Sequence, residues 1–246
     1  MEFISLFNLV ISVLFSICYA YQLLYLIVPF INRRRSHLDE AGGSFAKKGG
    51  YSSRKGSKRV AVLICARNER AVIADLIDSI RGQDYPKEKI TVFVMADNCT
   101  DDTRKIAGEH GAVVYERNDT RRVGKGFALN RLISCICDDY GKGYFDCFLV
   151  FDADNIVSPG FVSTITEKLD EGYEVVTSLR NSKNYSDNWV SARNSLWFLR
   201  DSQYMNRSRD ILGVSCVVTG TGFAVSAGLL EKLGGWPFHL DRKSVV

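Results

Sequence analysis

The hydrophobic pattern begins with a long apolar stretch that contains no charged residue from Phe3 to Ile31. Roughly 20 apolar residues in a helix cross a bilayer, so we predict a transmembrane anchor over residues 1–32. A cleaved signal peptide would carry positive charge before a shorter apolar run, whereas here the basic residues at 33–35 come after it. The positive-inside rule then places the rest of the chain on the cytoplasmic side of the cell membrane. A buried core helix is the alternative, and it is disfavoured because the stretch is apolar on every face.

From residue 59 onward, short apolar runs alternate with segments in which apolar residues recur at helical spacing. The runs predict strands over Val60–Ala66, Ile90–Ala96, Ala112–Glu116, Cys147–Phe151 and Glu174–Leu179. The intervening segments predict helices from about Arg70, and over Thr100–His110, Gly126–Tyr140 and Pro159–Glu171. Repeated β-α-β units form a largely parallel sheet flanked by helices on both faces. The fold class predicted for residues 59–240 is therefore α/β.

A further helix is predicted in the segment Tyr185–Asp210, which is rich in large aromatic residues. They are Trp189, Trp197, Phe198 and Tyr204. Large aromatic side chains dominate protein cores, so we expect core packing for this segment. Contact with an acceptor sugar or with a membrane surface is the alternative.

Charge is distributed unevenly along the chain, which has a net charge of +4. The stretch from Arg33 to Arg59 holds nine Lys/Arg and two Asp/Glu, whereas residues 60–246 together carry −2. This near-neutral main domain argues against a nucleic-acid-binding surface. Residues 33–58 are predicted to form a basic, Gly/Ser-rich linker. The linker either lies near anionic lipid headgroups or is a solvated tether.

Polar clusters follow three of the predicted strands. Arg67-Asn68-Glu69 follows the first strand, a cluster from Asp97 to Asp102 follows the second, and Asp152-Ala153-Asp154 follows the fourth. Ligands of open α/β sheets bind at the carboxyl ends of the strands. The convergence of three polar clusters on one sheet edge predicts a binding site there.

Asp152 and Asp154 are the candidate metal ligands. Two carboxylates this close repel each other unless a cation neutralises them. Mg²⁺ commonly bridges protein carboxylates to substrate phosphates, so the pair predicts a metal–diphosphate site. The alternative is a pair of carboxylates that only caps a turn or a helix.

Four other polar residues near this edge each allow two interpretations. Lys125 lies between two glycines, which let backbone approach a phosphate closely, but alone it also fits a solvated lysine at the start of a helix. Asp97 could accept hydrogen bonds from a nucleobase, or it could cap the helix that begins near Thr100. Asn68 and Glu69 share this ambiguity.

Six short motifs occur in order along residues 58–240. They are Ala66-Arg67-Asn68-Glu69, Asp97-Asn98-Cys99-Thr100-Asp101-Asp102-Thr103, Gly124-Lys125-Gly126-Phe127-Ala128-Leu129-Asn130, Phe151-Asp152-Ala153-Asp154, Val218-Thr219-Gly220-Thr221-Gly222-Phe223 and Leu233-Gly234-Gly235-Trp236-Pro237. Each motif is weak alone, but the ordered set is specific. It resembles the family 2 glycosyltransferases with a GT-A fold, which include cellulose, hyaluronan and poly-N-acetylglucosamine synthases.

The resemblance implies a role for each matching position. Asn68, Glu69 and Asp97 would line the nucleoside pocket of the donor, with Asp97 near the uracil. Lys125 would approach the diphosphate, and the two aspartates of the metal pair would hold a UDP-sugar through Mg²⁺ or Mn²⁺. The Gly220-Thr221-Gly222 turn would border the acceptor, which would be a glycan or a lipid-linked molecule. The implied reaction is inverting transfer, in which an acceptor hydroxyl attacks the anomeric carbon as UDP leaves.

The sequence departs from the family pattern near its end. Family members continue with a Thr-Glu-Asp type motif that supplies the general base, then with a Gln-x-x-Arg-Trp motif and more membrane helices, and this sequence has none of them. Asp241 stands near the expected position without the motif, so the catalytic base is left unassigned and we expect the domain to be incomplete. Residues 241–246 match one reading frame of a common sequencing adapter, so we expect them to be a non-native tail.

Three functions remain in competition. The leading one is a UDP-sugar-dependent glycosyltransferase that acts on a polysaccharide or a lipid-linked acceptor at the membrane. A sugar-phosphate nucleotidyltransferase would carry a Gly-rich basic signature near the first strand, which Cys65-Ala66-Arg67-Asn68 lacks. The third is a non-catalytic, membrane-tethered subunit that binds a nucleotide sugar. The missing base motif favours this third reading, and truncation explains the absence equally well.

Overall fold

The computed structural model describes residues 2–41, 58–181 and 185–237 of the chain. They divide into two compact units. The unit that we call the helical unit contains the described parts of Met1–Gly50 and Ser178–Val217, and the sheet unit contains those of Tyr51–Thr177 and Val218–Val246. Most of the predicted linker and all of the predicted tail lie outside the described residues.

Eight α-helices and six strands occur in the described part of the chain. The helices are α1 (Glu2–Ala41), α2 (Ile73–Arg81), α3 (Thr103–Glu109), α4 (Lys125–Tyr140), α5 (Phe161–Asp170), α6 (Trp189–Leu199), α7 (Arg207–Ile211) and α8 (Ala227–Lys232). The strands are β1 (Val60–Ala66), β2 (Ile90–Asp97), β3 (Val113–Arg117), β4 (Cys147–Asp152), β5 (Val175–Thr177) and β6 (Phe223–Ser226). A 3₁₀ turn covers Lys87–Lys89, and a π-helical segment, Arg200–Asn206, joins α6 to α7.

The six strands form one sheet in the order β3-β2-β1-β4-β6-β5. β1 pairs in parallel with β2 and β4, and β2 pairs in parallel with β3. β6 runs antiparallel to both β4 and β5. The predicted α/β class, with a mostly parallel sheet flanked by helices, is confirmed, and the antiparallel edge is a feature that the sequence pattern did not predict.

The central strand β1 is buried on both faces, which explains its unbroken apolar sequence. Val60, Val62 and Ile64 belong to the core layer that includes α2 and α5, whereas Ala61 and Leu63 belong to the layer that includes α4 and α8. Successive residues of a strand point to opposite faces, so one strand serves both layers. Each fully buried large aliphatic side chain contributes about 1.5–3 kcal/mol, and the sheet is thereby a firm base for the loops at its carboxyl edge.

Several element boundaries differ from the prediction by up to three residues, including those of α2 and β5. α2 begins at Ile73 rather than near Arg70, after a turn in which the Glu69 carbonyl accepts the N–H groups of both Val72 and Ile73 at 3.1 Å. β5 is only three residues long, because its one partner in the sheet is the short strand β6 at the antiparallel edge.

In the helical unit, α1 is a single helix that contains Pro29. Its residues Ile4–Ile31 are long and apolar enough to cross a membrane, and α1 is the one helix of this kind in the described part of the chain. The helix continues through residues 33–41, which corrects the prediction that these residues belong to a flexible linker. Once a helix is nucleated, each further residue adds a hydrogen bond at little cost, so the polar sequence after the apolar stretch extends it.

The π-helical segment Arg200–Asn206 and α7 pack against α1 within the helical unit. The Arg200 guanidinium donates a hydrogen bond to the side-chain oxygen of Gln22, and Ser208 Oγ donates to the Tyr25 carbonyl at 2.5 Å. The two hydrogen bonds to α1 therefore fall at its residues 22 and 25, in the later part of its apolar stretch.

The expectation of core packing is wrong for two of the aromatic residues of α6. Trp189 is 77% exposed and Trp197 is 59% exposed, whereas Ser195 of the same helix is buried. The small polar residue, rather than the aromatic ones, occupies the packed side of the helix.

Candidate functional site

The strand order reverses between β1 and β4, because β2 and β3 lie on one side of β1 and β4 lies on the other. In the register of the sheet, Cys65 near the end of β1 stands opposite Met95 of β2 and Asp152 of β4. The carboxyl ends of these three strands thus meet at the switch point, where open α/β sheets bind ligands. The three predicted polar clusters are attached to these strand ends.

Lys125, the first residue of α4, links the end of β4 to the Gly220-Thr221-Gly222 turn. Its Nζ donates to Asp152 Oδ1 and to the Gly220 carbonyl, both at 2.5 Å. Gly124, directly before α4, has a φ of 147°, a conformation that favours glycine and starts the helix at Lys125. Lys125 is therefore not merely a solvated lysine at a helix start. A lysine ammonium has three N–H donors, and two of them are used by these contacts.

The Gly220-Thr221-Gly222 turn, predicted to border the acceptor, is tied to the aspartate pair. The Asp152 N–H donates to Thr221 Oγ1 at 2.8 Å, and the Thr221 hydroxyl donates to Asn155 Oδ1. The Gly222 N–H donates to the Val150 carbonyl at 2.8 Å, and Gly222 has a φ of 66°. Thr221 is buried, so this turn and the end of β4 hold each other in place.

Asp154, the second aspartate of the pair, is exposed. Its Oδ1 accepts a hydrogen bond from Asn155 Nδ2 at 3.1 Å. Asp152 is paired with Lys125, so the two carboxylates differ: one is neutralised by a protein cation, and the other faces solvent.

Asn68 and Glu69 follow β1 and contact the loop after β2. Asn68 adopts a φ of 58°, and its Oδ1 accepts the Thr100 N–H at 2.8 Å. The Glu69 N–H donates to Thr103 Oγ1 at 2.8 Å. The Asn68 amide thus organises the loop, and the Glu69 backbone is tied to the start of α3.

Negative charge accumulates around Glu69. Partial burial raises the pKa of its carboxyl, and repulsion by Asp154, Asp101 and Asp152 raises it further. These residues come from the loops after three strands, so the structure gathers their carboxylates at one edge. A concentration of this kind attracts cations.

Asp97, the last residue of β2, is held by an arginine that the sequence motifs did not predict. Arg117 Nη1 donates to Asp97 Oδ1 at 2.6 Å, and both side chains are only 9% exposed. Asn98 Nδ2 also donates to Oδ1, at 3.1 Å. Asp97 does not cap α3, because the residue at the N-cap is Asp102. The signal for Arg117 was its position at the end of β3, opposite Asp97 in the register.

Arg117 also organises the loop between β3 and α4. Its Nη2 donates to Asp119 Oδ2 at 3.2 Å and to the Arg122 carbonyl, and Asp119 Oδ1 accepts the N–H of Arg122 at 3.1 Å. The loop leads directly to Lys125. One arginine thus connects the carboxylate of Asp97 to the segment that carries the lysine.

The donor atoms at the aspartate pair suit a hard divalent cation. Mg²⁺ is usually bound through one or two carboxylates plus substrate phosphates, and Asp152 and Asp154 provide the carboxylates. Within the described residues, no group of three or more His, Cys, Asp or Glu side chains is arranged to hold a metal. The protein groups therefore fit an ion that takes its remaining ligands from a phosphate-containing substrate.

A mostly parallel sheet with carboxylates and a lysine at its switch point defines an α/β protein whose charged side chains gather at the carboxyl edge of the sheet. The family model described as "Glycosyltransferase like family 2" matches residues 58–244. The chain therefore belongs to glycosyltransferase family 2, and the resemblance carried by its motifs is confirmed.

Two curated relatives illustrate the similarity. The β-monoglucosyldiacylglycerol synthase of Nostoc sp. (strain PCC 7120) is 29% identical over 190 residues, which cover 72% of this chain and 37% of the relative. "Probable glycosyltransferase YdaM" of Bacillus subtilis (strain 168) is 26% identical over 186 residues, which cover 72% of this chain and 43% of the relative. The chain thus spans less than half the length of these relatives.

Solved structures share the fold. The mannosyltransferase PcManGT of Pyrobaculum calidifontis, in complex with GDP-Man and Mn²⁺, superposes with a TM-score of 0.61 at 21% identity and covers 92% of this chain and 58% of its own. S. aureus TarS 1-349, in complex with UDP, gives a TM-score of 0.55 at 18% identity and covers 75% and 52%. The predicted GT-A-type fold is confirmed by these neighbours.

Proposed function

We propose that this chain carries the donor-binding part of an inverting, metal-dependent glycosyltransferase that transfers a sugar from a UDP-sugar to a polysaccharide or a lipid-linked acceptor. The observation that carries the proposal is the junction of Lys125, Asp152 and Gly220 at the switch point of the sheet. It joins the aspartate pair, a cation and the acceptor-side turn in one place. The name of the Nostoc relative, a synthase of a glucosylated diacylglycerol, supports the lipid acceptor.

Different residues of the donor site would contact the base, the nucleoside and the diphosphate of the nucleotide sugar. Asp97, fixed by Arg117, would accept a hydrogen bond from the base, and Asn68 and Glu69 would border the nucleoside. Lys125 would use its remaining N–H to neutralise the diphosphate, whose negative charge grows as the sugar–phosphate bond breaks.

Asp152 and Asp154 would hold Mg²⁺ or Mn²⁺ against the diphosphate. When bound, such an ion supplies Lewis-acid stabilisation of the leaving group. The buried hydroxyl of Thr221 keeps the backbone of Asp152 in place. The acceptor hydroxyl also needs a general base, and we assign none of the described residues to that role.

The helix α1 is the feature that supports a membrane location. The helix has the length and apolar composition of a span, and three arginines follow the apolar stretch. We infer a cell-membrane protein whose sheet unit lies on the cytoplasmic side, where nucleotide sugars are available to a donor site.

Calorimetric titration of the detergent-solubilised chain with UDP, with and without Mn²⁺, tests the donor site. Asp152→Asn and Asp154→Asn each remove a charge without changing shape. Charge-assisted contacts contribute about 1.5–3 kcal/mol, so we expect each variant to lose roughly 10- to 100-fold in Mn²⁺-dependent affinity.

Asp138→Asn is the matched control, because Asp138 is exposed near the far end of α4 from Lys125. Binding that is independent of Mn²⁺, or equal in all three variants, would contradict the proposal. UDP binding without sugar transfer from any donor would instead favour the non-catalytic subunit.

A further inference from the structure

The outward face of α6 is apolar and aromatic. Trp189, Val190, Arg193, Leu196 and Trp197 are spaced so that all five lie on one side of the helix. All five side chains are exposed. We call this set the α6 face. A helix at the surface of a water-soluble protein has the opposite arrangement, with its apolar residues turned inward.

The packed side of the same helical stretch carries small polar residues. Ser195 is buried, and its Oγ donates to the Ser191 carbonyl at 2.9 Å. Ser202 Oγ likewise donates to the Phe198 carbonyl at 2.6 Å. These hydroxyls are satisfied within their own helix and need no water. Small residues inside and large apolar residues outside are typical of helices that face lipid.

The helical stretch is too polar to cross a bilayer itself. It contains Arg193, Arg200, Asp201, Arg207 and Arg209, and charges at these positions would be costly in the hydrocarbon core. A helix with large apolar side chains on one face and arginines lies instead in the plane of the membrane interface.

The contacts with α1 place this stretch at a defined level. Arg200 and Ser208 contact Gln22 and Tyr25, and the Arg209 guanidinium lies 5.7 Å from the centroid of the Tyr25 ring. A span that begins near the chain start crosses about 30 Å of hydrocarbon in roughly 20 residues. The contacts on α1 lie toward the end of its apolar stretch Ile4–Ile31 that leads to the arginines at 33–35. The π-helical segment that makes one of them continues directly from α6.

We propose that the α6 face docks on the surface of the bilayer that contains α1. Trp189 and Trp197 lie in the interfacial layer, where tryptophan is enriched, and Arg193 between them contacts anionic headgroups. This goes beyond the donor site and rests on the proposed membrane insertion of α1. The helical unit would thus contact the membrane in two ways, with α1 crossing the bilayer and α6 lying along its surface.

The chain has three tryptophans, at 189, 197 and 236, so single-tryptophan variants can be made with two Trp→Phe changes each. The full chain is reconstituted into vesicles of phosphatidylcholine and phosphatidylglycerol, with or without bromine on the upper part of the acyl chains. We expect the variants that keep Trp189 or Trp197 to lose roughly half of their emission in brominated vesicles, because interfacial tryptophans contact that layer. Trp236 is half-buried against Phe223 in the sheet unit, so the variant that keeps it gives the reference level of quenching.

Quenching of Trp189 and Trp197 no greater than that of Trp236, in protein that resists carbonate extraction, would overturn the proposal. Release by carbonate would overturn it too, by showing that α1 is not inserted, while UDP titration would still report on the donor site. Emission that depends on protein density and not on bromine would assign the face to a second copy of the chain. Arg193→Gln is expected to abolish any extra quenching seen with anionic over zwitterionic vesicles.

Discussion

The two units of this protein place their apolar side chains in opposite ways. In the sheet unit, large residues such as Phe93 and Leu63 are fully buried, whereas in the helical unit Trp189 and Trp197 are exposed and Ser195 is buried. No buried side-chain nitrogen or oxygen in the described part of the chain lacks a hydrogen-bond partner. Both arrangements are thus satisfied internally, which indicates that the units are adapted to different surroundings rather than that one is poorly packed.

The largest effect is expected from truncating an aromatic side chain in each unit. Phe93 packs edge-on against Tyr140 and Phe145, with centroid distances of 5.4 and 5.5 Å. Phe93→Ala should destabilise the sheet unit by about 3–5 kcal/mol, because it leaves a cavity. Trp197→Ala should cost about 1 kcal/mol or less, since it removes an exposed ring and its contact with Arg200. Thermal unfolding of the full chain in detergent measures both.

Phe93→Leu is the control for Phe93, because it keeps most of the apolar volume and should recover much of the loss. A cost at Trp197 as large as that at Phe93 would mean that the α6 face is packed against protein, and it would remove the contrast between the units.

The pattern of the sequence predicted the sheet unit better than the helical unit for a physical reason. Strands such as β1 and β4 are covered on both faces and are therefore continuous apolar runs. These runs predict the ends of both strands to within about one residue. The antiparallel edge was missed, because β6 has four residues and pairs with β5 across a long sequence separation. The aromatic residues of α6 were assigned to a core because aromatic content alone does not distinguish a core from a lipid-facing surface. Their spacing places residues 189, 190, 193, 196 and 197 on one side of the helix, but only the structure shows that this side is exposed.

The second comparison removes one arginine from each unit. Arg117→Met leaves the carboxylate of Asp97 buried without its partner, and breaking a buried ion pair costs about 3–5 kcal/mol. Since Asp97 is 9% exposed on its side chain, we expect a value of about 3 kcal/mol, near the lower end of that range, together with weaker UDP binding. Arg193→Met, at an exposed position of α6, should change stability in detergent by about 0.5 kcal/mol or less.

An additional Asp97→Asn change in the Arg117→Met background should restore part of the stability, because it removes the unpaired charge. Additive effects would show that the two residues do not interact.

The candidate site was only partly predictable from the sequence. Asp97, Lys125 and the aspartate pair follow strand ends or glycines, whereas Arg117 becomes visible only when the register sets β3 beside β2.

A third test separates the site edge of the sheet unit from the rest of it. Lys125→Met removes the ammonium that joins Asp152 to Gly220, and we expect a loss of about 1.5–3 kcal/mol in UDP affinity. Lys142→Met changes an exposed lysine just beyond the other end of α4 and should leave affinity unchanged. Calorimetry with Mn²⁺ measures both variants. Equal affinities would place the diphosphate elsewhere.

The smallest expected effect comes from Glu69, and it tests whether the site edge carries excess negative charge. The pKa of this carboxyl is raised by partial burial and then by Asp154, Asp101 and Asp152. A carboxyl whose pKa is raised in the folded state stabilises the fold below its unfolded pKa and loses that contribution as the pH rises through the folded pKa. Glu69→Gln cannot ionise, so at about pH 7 we expect the variant to be more stable than the parent, by at most about 1 kcal/mol because the group is partly exposed.

At about pH 4, near the ordinary pKa of a glutamate, the advantage of Glu69→Gln should fade, and thermal unfolding at the two pH values measures the change. Asp154→Asn removes one of the repelling charges, so Glu69→Gln should gain less in that background. Added Mn²⁺ should shrink the gain in the same way, since a cation held by the aspartate pair would offset the repulsion that Glu69 experiences. A gain that is the same at both pH values would have another cause, and it would show that the neighbouring carboxylates do not repel Glu69.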